Sequence, residues 1–485
     1  MRKILFGVLG CLVAVCAHAA QIVNVDYVHK LIAQKWDVSV PIKADSPMQV
    51  ANMKYLLTAV DVANEILNGE KTTDYDNGEF ATTQVADTVA TNTAVETLVR
   101  KEIEYKFFLT TTSTNSFSFS ISAAGEFVID WGDGTVETKT KANTTNTTYS
   151  HAYSTSKSYT IKLAGQATAY NTDEHTAAIS FYINYSNTQS KKIASIDGSL
   201  GAIFGTLSSD TNNQPRFYET FSDATNMTGS IPSDLFAGIS GAPASYMFYQ
   251  TFYGCSGLTS IPENLFAGIS GAPAEFMFYY TFYGCSGLTG AIPDGLFAGI
   301  SGAPASSMFA STFYGCSGLT SIPSDLFAGI SGAPASSMFF QTFYGCSGLT
   351  SIPDGLFGNL SGAPASQMFD TTFSGCTGLT GAIPDGLFAG ISGAPASSMF
   401  ASTFSGCSGL TSIPENLFGD ISGPVQGGMF DQTFYNCTSL TGPSARINGQ
   451  YVYEIWPDTT WSQVGDMYQN ATGLSDYSSI PSAWK

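Results

Sequence analysis

The chain has 485 residues, room for more than one domain, and its 19 Lys and Arg against 38 Asp and Glu give a net charge of −19. So acidic a chain repels nucleic acid and anionic lipid, which excludes both as partners. Only 12% of residues are charged while 13% are aromatic and 49 are glycine, a composition that excludes a disordered chain.

Residues 1–19 are expected to be a signal peptide. Arg2 and Lys3 precede an apolar run from Ile4 to Ala17, and Ala17-His18-Ala19 offers a small-x-small cleavage site. The run is short of the ~20 residues that a membrane span needs, and no later segment is apolar enough to serve. A lipoprotein cleaved before Cys11 would retain little apolar core. The expectation is therefore a soluble exported protein, secreted or at the cell surface, with the periplasm also open. Without Arg2 and Lys3, 17 basic residues face 38 acidic ones, a net of −21. The final "SIPSAWK" carries no recognisable sorting tail.

Residues 20–104 are expected to be helical. "IVNVDYVHKLIAQKW" (22–36) is one candidate, and a second helix opens at Ser46-Pro47 and ends at Asn68-Gly69. In it Val50, Met53, Leu57, Val60, Asn64 and Leu67 keep heptad a/d spacing. The polar run 68–79 is a loop, and 85–103 forms a third helix. Such helices suit a small bundle or an oligomerisation stalk, so a homo-oligomer is a possible partner arrangement.

Residues 105–190 alternate apolar and polar at period two, as in Phe117/Phe119/Ile121, Phe127/Ile129/Trp131, Tyr159/Ile161/Leu163 and Ile179/Phe181/Ile183. That pattern predicts an immunoglobulin-like β-sandwich. "DWGDGT" (130–135) places Asp-Gly at a tight hairpin. Asp130 and Asp133 are weak calcium candidates against the simpler reading of a structural turn.

From residue 191 to 475 the chain repeats. Phenylalanine of a Thr-Phe pair recurs at 221, 252, 282, 313, 343, 373, 404 and 434, a period of 30 or 31 residues. In the copy from Pro243 to Pro273, Met247, Phe248, Thr251, Phe252 and Cys255 fall at i, i+4 and i+8. This spacing predicts a short amphipathic helix, with Gly254 and Gly257 as its stop. "LTSI" (258–261) follows as a short strand, Pro262-Glu263 opens a turn, and "AGISGAP" is the loop onward. One strand and one helix per copy give an α/β leucine-rich-repeat solenoid, with too few strands for a propeller. Residues 193–204, 214–221 and 467–475 are atypical end copies, and 476–485 is expected to be a tail.

Seven cysteines share one slot: Cys255, Cys285, Cys316, Cys346, Cys376, Cys407 and Cys437. The end copies hold Ala224 and Ala471 there, which a small apolar pocket accepts and a metal site or disulfide does not. An odd count, no C-x-x-C pair and no histidine after His175 argue against full pairing, zinc and nucleophilic catalysis. Buried filling is the expectation, with occasional disulfides between neighbours the alternative. The methionine column from Met247 to Met429 has the same core reading.

No Lys or Arg lies between Arg216 and Arg446. Asp234, Glu263, Asp294, Asp325, Asp354, Asp385 and Glu415 each follow an Ile-Pro, either as a carboxylate row for calcium or a basic partner or as a repeated turn-start preference. The strands expose Thr259, Ser260, Thr289, Thr320, Ser321, Thr350, Ser351, Thr380, Thr411 and Ser412, a small, uncharged ledge suited to an extended protein or glycan. After signal cleavage only His29, His151 and His175 remain, in no catalytic pattern. No cofactor and no enzyme activity are expected.

The repeat, with its "YGCSGLTSI" signature, resembles the BspA-like leucine-rich repeats of bacterial surface proteins. "WGDGT" with "HAYSTSKSYTIKLAG" (151–165) resembles the polycystic-kidney-disease-type domain that accompanies them, in contracted form. The period and the long "FAGISGAPA" loop depart from the repeat family. The resemblance implies adhesion to host or neighbouring cells through the repeats. The alternative is a structural component of a surface layer or filament, held together by the N-terminal helices.

Overall fold

The computed structural model describes residues 103–183, 189–207 and 213–485. The expected signal peptide, the heptad pattern and the helices at 22–36, 46–69 and 85–103 lie outside the described residues, the last but for residue 103. The chain divides into two compact units, Met1–Glu104 and Tyr105–Lys485.

The second unit opens with eight strands: β1 (Phe107–Thr111), β2 (Thr114–Ile121), β3 (Ala124–Asp130), β4 (Val136–Lys141), β5 (Thr147–Lys157), β6 (Thr160–Ala169), β7 (Ile179–Ser180) and β8 (Ile193–Gly198). They form two antiparallel sheets, in the orders β4-β3-β6-β1-β8 and β5-β2-β7. Period-two alternation turns Phe107, Leu109, Phe127, Ile129, Ile161 and Leu163 of one sheet inward against Phe117, Phe119 and Ile121 of the other. Phe119 bridges the layers, with ring centroids 5.6 Å from Trp131 and 5.5 Å from Phe181. The two sheets thus share one core. The expected hairpin at Asp133-Gly134 joins β3 to β4 through a five-residue loop, 131–135, closed by Trp131 N–H to Thr135 O at 2.9 Å.

The predicted leucine-rich-repeat solenoid, with a helix in every copy, is not what forms. Among the described residues the helical segments are the single turns Ser190–Lys192, Val452–Ile455, Trp461–Val464, Tyr477–Ser479 and Ser482–Trp484, and none lies within 213–445. The unit is built from β-sheets, short two-stranded ladders and turns. The burial pattern shows why the helix reading fails. From Met247 to Cys255 two buried residues alternate with two partly exposed ones at a period of four. A helix, at 3.6 residues per turn, would drift off that face by i+8.

What repeats every four residues is a left-handed backbone step, at Tyr246 (φ 58°), Gln250 (φ 51°) and Gly254 (φ 68°). These steps chain β-turns. Odd-numbered amides close each turn, as in Tyr249 N–H to Tyr246 O and Thr251 N–H to Phe248 O, both at 3.2 Å. Even-numbered amides reach the next copy: Phe248 to Met277 O at 2.8 Å, Gln250 to Tyr279 O at 3.0 Å, Phe252 to Thr281 O at 2.9 Å and Gly254 to Tyr283 O at 2.7 Å. Every amide of the segment is thereby satisfied, half of them only when a neighbour is stacked alongside.

The stacking buries three phenylalanine columns. Phe252 lies parallel to Phe282 at 5.5 Å, Phe248 parallel to Phe278 at 5.5 Å, and Phe266 parallel to Phe297 at 6.0 Å. Between the turns, short parallel pairs link adjacent copies, as Leu258–Ser260 with Gly229–Ser230 and Leu319–Ser321 with Gly290–Ala291. Glycine in the loop is required by proximity: a Cβ at Gly299 would collide with the Ile269 carbonyl of the copy before.

Both ends of the array are covered. Phe181, just after β7, heads a phenylalanine column by stacking on Phe221 at 5.3 Å, and its amide donates to Thr220 O at 2.9 Å. Residues 193–198, expected as part of an end copy, are β8 of the sandwich, paired antiparallel with β1. Ala194 O nevertheless accepts from Thr228 N–H at 2.9 Å, so the first copy is templated on that strand. At the other end residues 476–485 pack onto the array: Trp484 is fully buried and its carbonyl accepts from Tyr468 N–H at 2.8 Å.

Candidate binding surface

The seven array cysteines are free and buried. Each thiol donates to the phenylalanine carbonyl of the preceding copy, from Cys255 to Phe221 at 3.2 Å through Cys437 to Phe404 at 3.0 Å. Burial pushes the Cys346 and Cys437 thiols up to about 12 and raises the others well above the ordinary value. Such thiols are neither nucleophiles nor ready metal ligands. Ala224 and Ala471 occupy the same buried slot. The methionines are core too, with the Met308 sulfur 3.3 Å from Ala305 N–H.

Asp130 and Asp133 are committed to the β3–β4 loop. Asp130 accepts from Gly132 N–H at 2.9 Å and from Lys162 Nζ at 3.0 Å. Asp133 accepts from Thr135 N–H at 2.9 Å and pairs with His151 Nε2 at 2.8 Å. Burial works to raise the Asp133 carboxyl, but the hydrogen bonds from His151 and Thr135 outweigh it and bring the group down to about 2. His151 stacks on Trp131 at 5.1 Å, so the cluster braces a hairpin. Each carboxylate is thus already engaged by a backbone amide and by a neighbouring side chain. His175 lies elsewhere, 4.7 Å from the Tyr246 ring.

The ledge residues Thr259, Thr289, Thr320, Thr350, Thr380 and Thr411 are exposed and in line. Thr350 N–H and Oγ1 both donate to Thr320 O, at 3.2 and 3.3 Å, and Thr380 does the same to Thr350 O at 3.1 and 3.4 Å. Ser260, Ser321 and Ser412 are half-buried and Ser351 is exposed. These hydroxyls are thus partly spent on the stack itself. The acidic residues after each Ile-Pro are all exposed, and among the described residues no group of three or more His, Cys, Asp or Glu is placed to hold a metal ion.

A different face, unmarked in the sequence reading, carries the most distinctive chemistry. The turn positions left partly exposed by the period of four hold tyrosines in the early copies. Tyr249 lies between Tyr218 at 4.7 Å and Tyr279 at 5.4 Å, nearly parallel to both. Tyr253 stacks on Tyr283 at 4.8 Å, Tyr246 on Phe276 at 4.8 Å, and Tyr280 stands edge-on to Tyr279 at 4.0 Å. Assigning the turns to a helix hid this face, because it blurred the line between inward and outward positions. Among the described residues no helix is long and apolar enough to cross a membrane. No family model matches the chain, and no curated protein matches its sequence.

Proposed function

We propose that this is an exported binding protein whose stacked turn array presents an extended surface to an extracellular protein or glycan, in adhesion to host or neighbouring cells. The observation that carries the reading is the array's outer surface: aromatic and hydroxyl side chains in columns, without a single Lys or Arg from 217 to 445. Its thiols are buried and its histidine–carboxylate pair serves a hairpin, so the recurring chemistry on offer is contact. Rigid, repetitive columns suit a large partner better than a small molecule.

The test is binding of the full chain to a panel of glycans, matrix proteins and whole bacterial cells, beside a chain lacking residues 245–305. Saturable binding that falls away with the deletion is the expected result. Silence of the intact chain across the panel would overturn the proposal.

A further inference from the structure

The copies are near-identical, yet their outward positions do not vary alike. Two outward columns are constant: threonine at every copy from Thr228 to Thr441, and serine from Ser240 to Ser422, all exposed but the half-buried Ser392. The turn face is not. The stretch SYMFYQ at 245–250 becomes EFMFYY at 275–280, SSMFAS at 306–311, SSMFFQ at 336–341, SQMFDT at 366–371 and SSMFAS at 397–402. The inward Met-Phe never changes, while its flanks run through aromatic, amide, hydroxyl, methyl and carboxylate. Outside the turns the exposed column after each Ile-Pro also varies, through Ser233, Glu263, Asp294 and Ser324, but only among polar and acidic side chains; on the turn face the changes run from methyl to aromatic. A constant frame with one diversified face is the layout of a recognition surface.

The chemistry of that face selects the class of partner. Tyrosine and serine on a rigid frame give large amphipathic contact at small entropic cost, as in protein-binding paratopes, and here the rings are already held by stacking. That same stacking covers the ring faces of Tyr249 against Tyr218 and Tyr279. A sugar, which would lie on an open ring face, is poorly served. Glu219, Asp223 and Glu275 border the patch, while the one cation near it in the array, Arg216, is half-buried, donates Nε–H to Ser245 O at 3.0 Å and already faces Asp173 and Glu174. Charge complementarity calls for a cationic partner. We propose that the turn face of the first three copies, centred on Tyr249, Phe276, Tyr279 and Tyr280, docks a protein surface that bears arginine or lysine beside apolar side chains. This rests on the binding reading above.

The test pans a displayed library of random dodecapeptides, and in parallel a glycan array, on the full chain. Retained ligands are then titrated against two variants. The turn-face variant is Phe276→Ser, Tyr279→Ala, Tyr280→Ser, which installs the residues that Ser307, Ala310 and Ser311 already supply in the next copy. The ledge variant is Thr259→Ser, Thr289→Ser, Thr320→Ser. A single cooperative unfolding transition in each, lowered in the turn-face variant by no more than its lost ring stacking, confirms that they fold. The expected result is enrichment of basic and aromatic peptides that lose ~10-fold or more in affinity on the turn-face variant and under about twofold on the ledge variant. Peptides indifferent to the turn-face variant, or glycans that are the ligands lost with it, would overturn this proposal and leave the broader one standing. Silence of both libraries on the intact chain would overturn both.

Discussion

Asp133 illustrates how little chemistry a suggestive residue can carry. Its carboxylate caps its own loop and pairs with His151, and its folded-state value of about 2 lies below the ordinary 3.8. A depressed carboxylate lends stability that is present above the unfolded value and lost as pH falls through the folded one. The stability gap between the wild type and Asp133→Asn should therefore close between about pH 4 and pH 2. Solvent screening holds it to about 1 kcal/mol at most. Thermal unfolding of both proteins across that range measures it, and a gap constant with pH would contradict the assignment. The cysteines make a matching case: an alkylating reagent at neutral pH should leave all seven array thiols unlabelled in the native protein and modify them in denaturant. Peptide mapping by mass spectrometry reads this directly, and native labelling at any of the seven would contradict their burial.

The single turn decides the element scale. Thr281 shows how one copy is pinned to the last: its hydroxyl donates to Phe248 O at 2.9 Å, a carbonyl already bonded by Thr251 N–H. Thr281→Val keeps the shape and removes that donor, so it should cost about 1 kcal/mol, seen as a lower urea midpoint at unchanged slope. No change in midpoint would mean that the hydroxyl contributes nothing. The strands of the sandwich were legible because period two has one common meaning, and Phe117, Phe119 and Ile121 point inward as read. The repeat length and the buried columns of Phe252, Met247 and Cys255 were legible because near-identical copies keep the same apolar residue in each slot. The helix was not. Met247, Thr251 and Cys255 at i, i+4 and i+8 satisfy a helical template, and the deciding feature, a left-handed step at Tyr246 and Gln250, falls on residues that give no warning of it. Only Gly254, in the third such slot, carries the expected residue type. The candidate site suffered accordingly. The ledge threonines are exposed, but the tyrosine face could not be seen until the turns were separated from a helix.

At the scale of the whole molecule the array is a one-dimensional stack, closed by the sandwich at Phe181 and Phe221 and by Trp484 at the far end. In such a stack each copy answers only to its neighbours, so the frame and the face it presents are separable. That separability is the central claim, because a recognition surface can vary only if the fold does not depend on it. The most direct test is thermal unfolding of a chimera in which SYMFYQ at 245–250 is replaced by SSMFAS, the stretch found at 306–311. The inward Met-Phe pair is retained and only stacked surface rings are lost, each worth ~0.5–1.5 kcal/mol. The predicted result is a single cooperative transition, lowered by no more than the loss of those rings. Disappearance of that transition would contradict the account, because the tyrosines would then belong to the frame and not to its face.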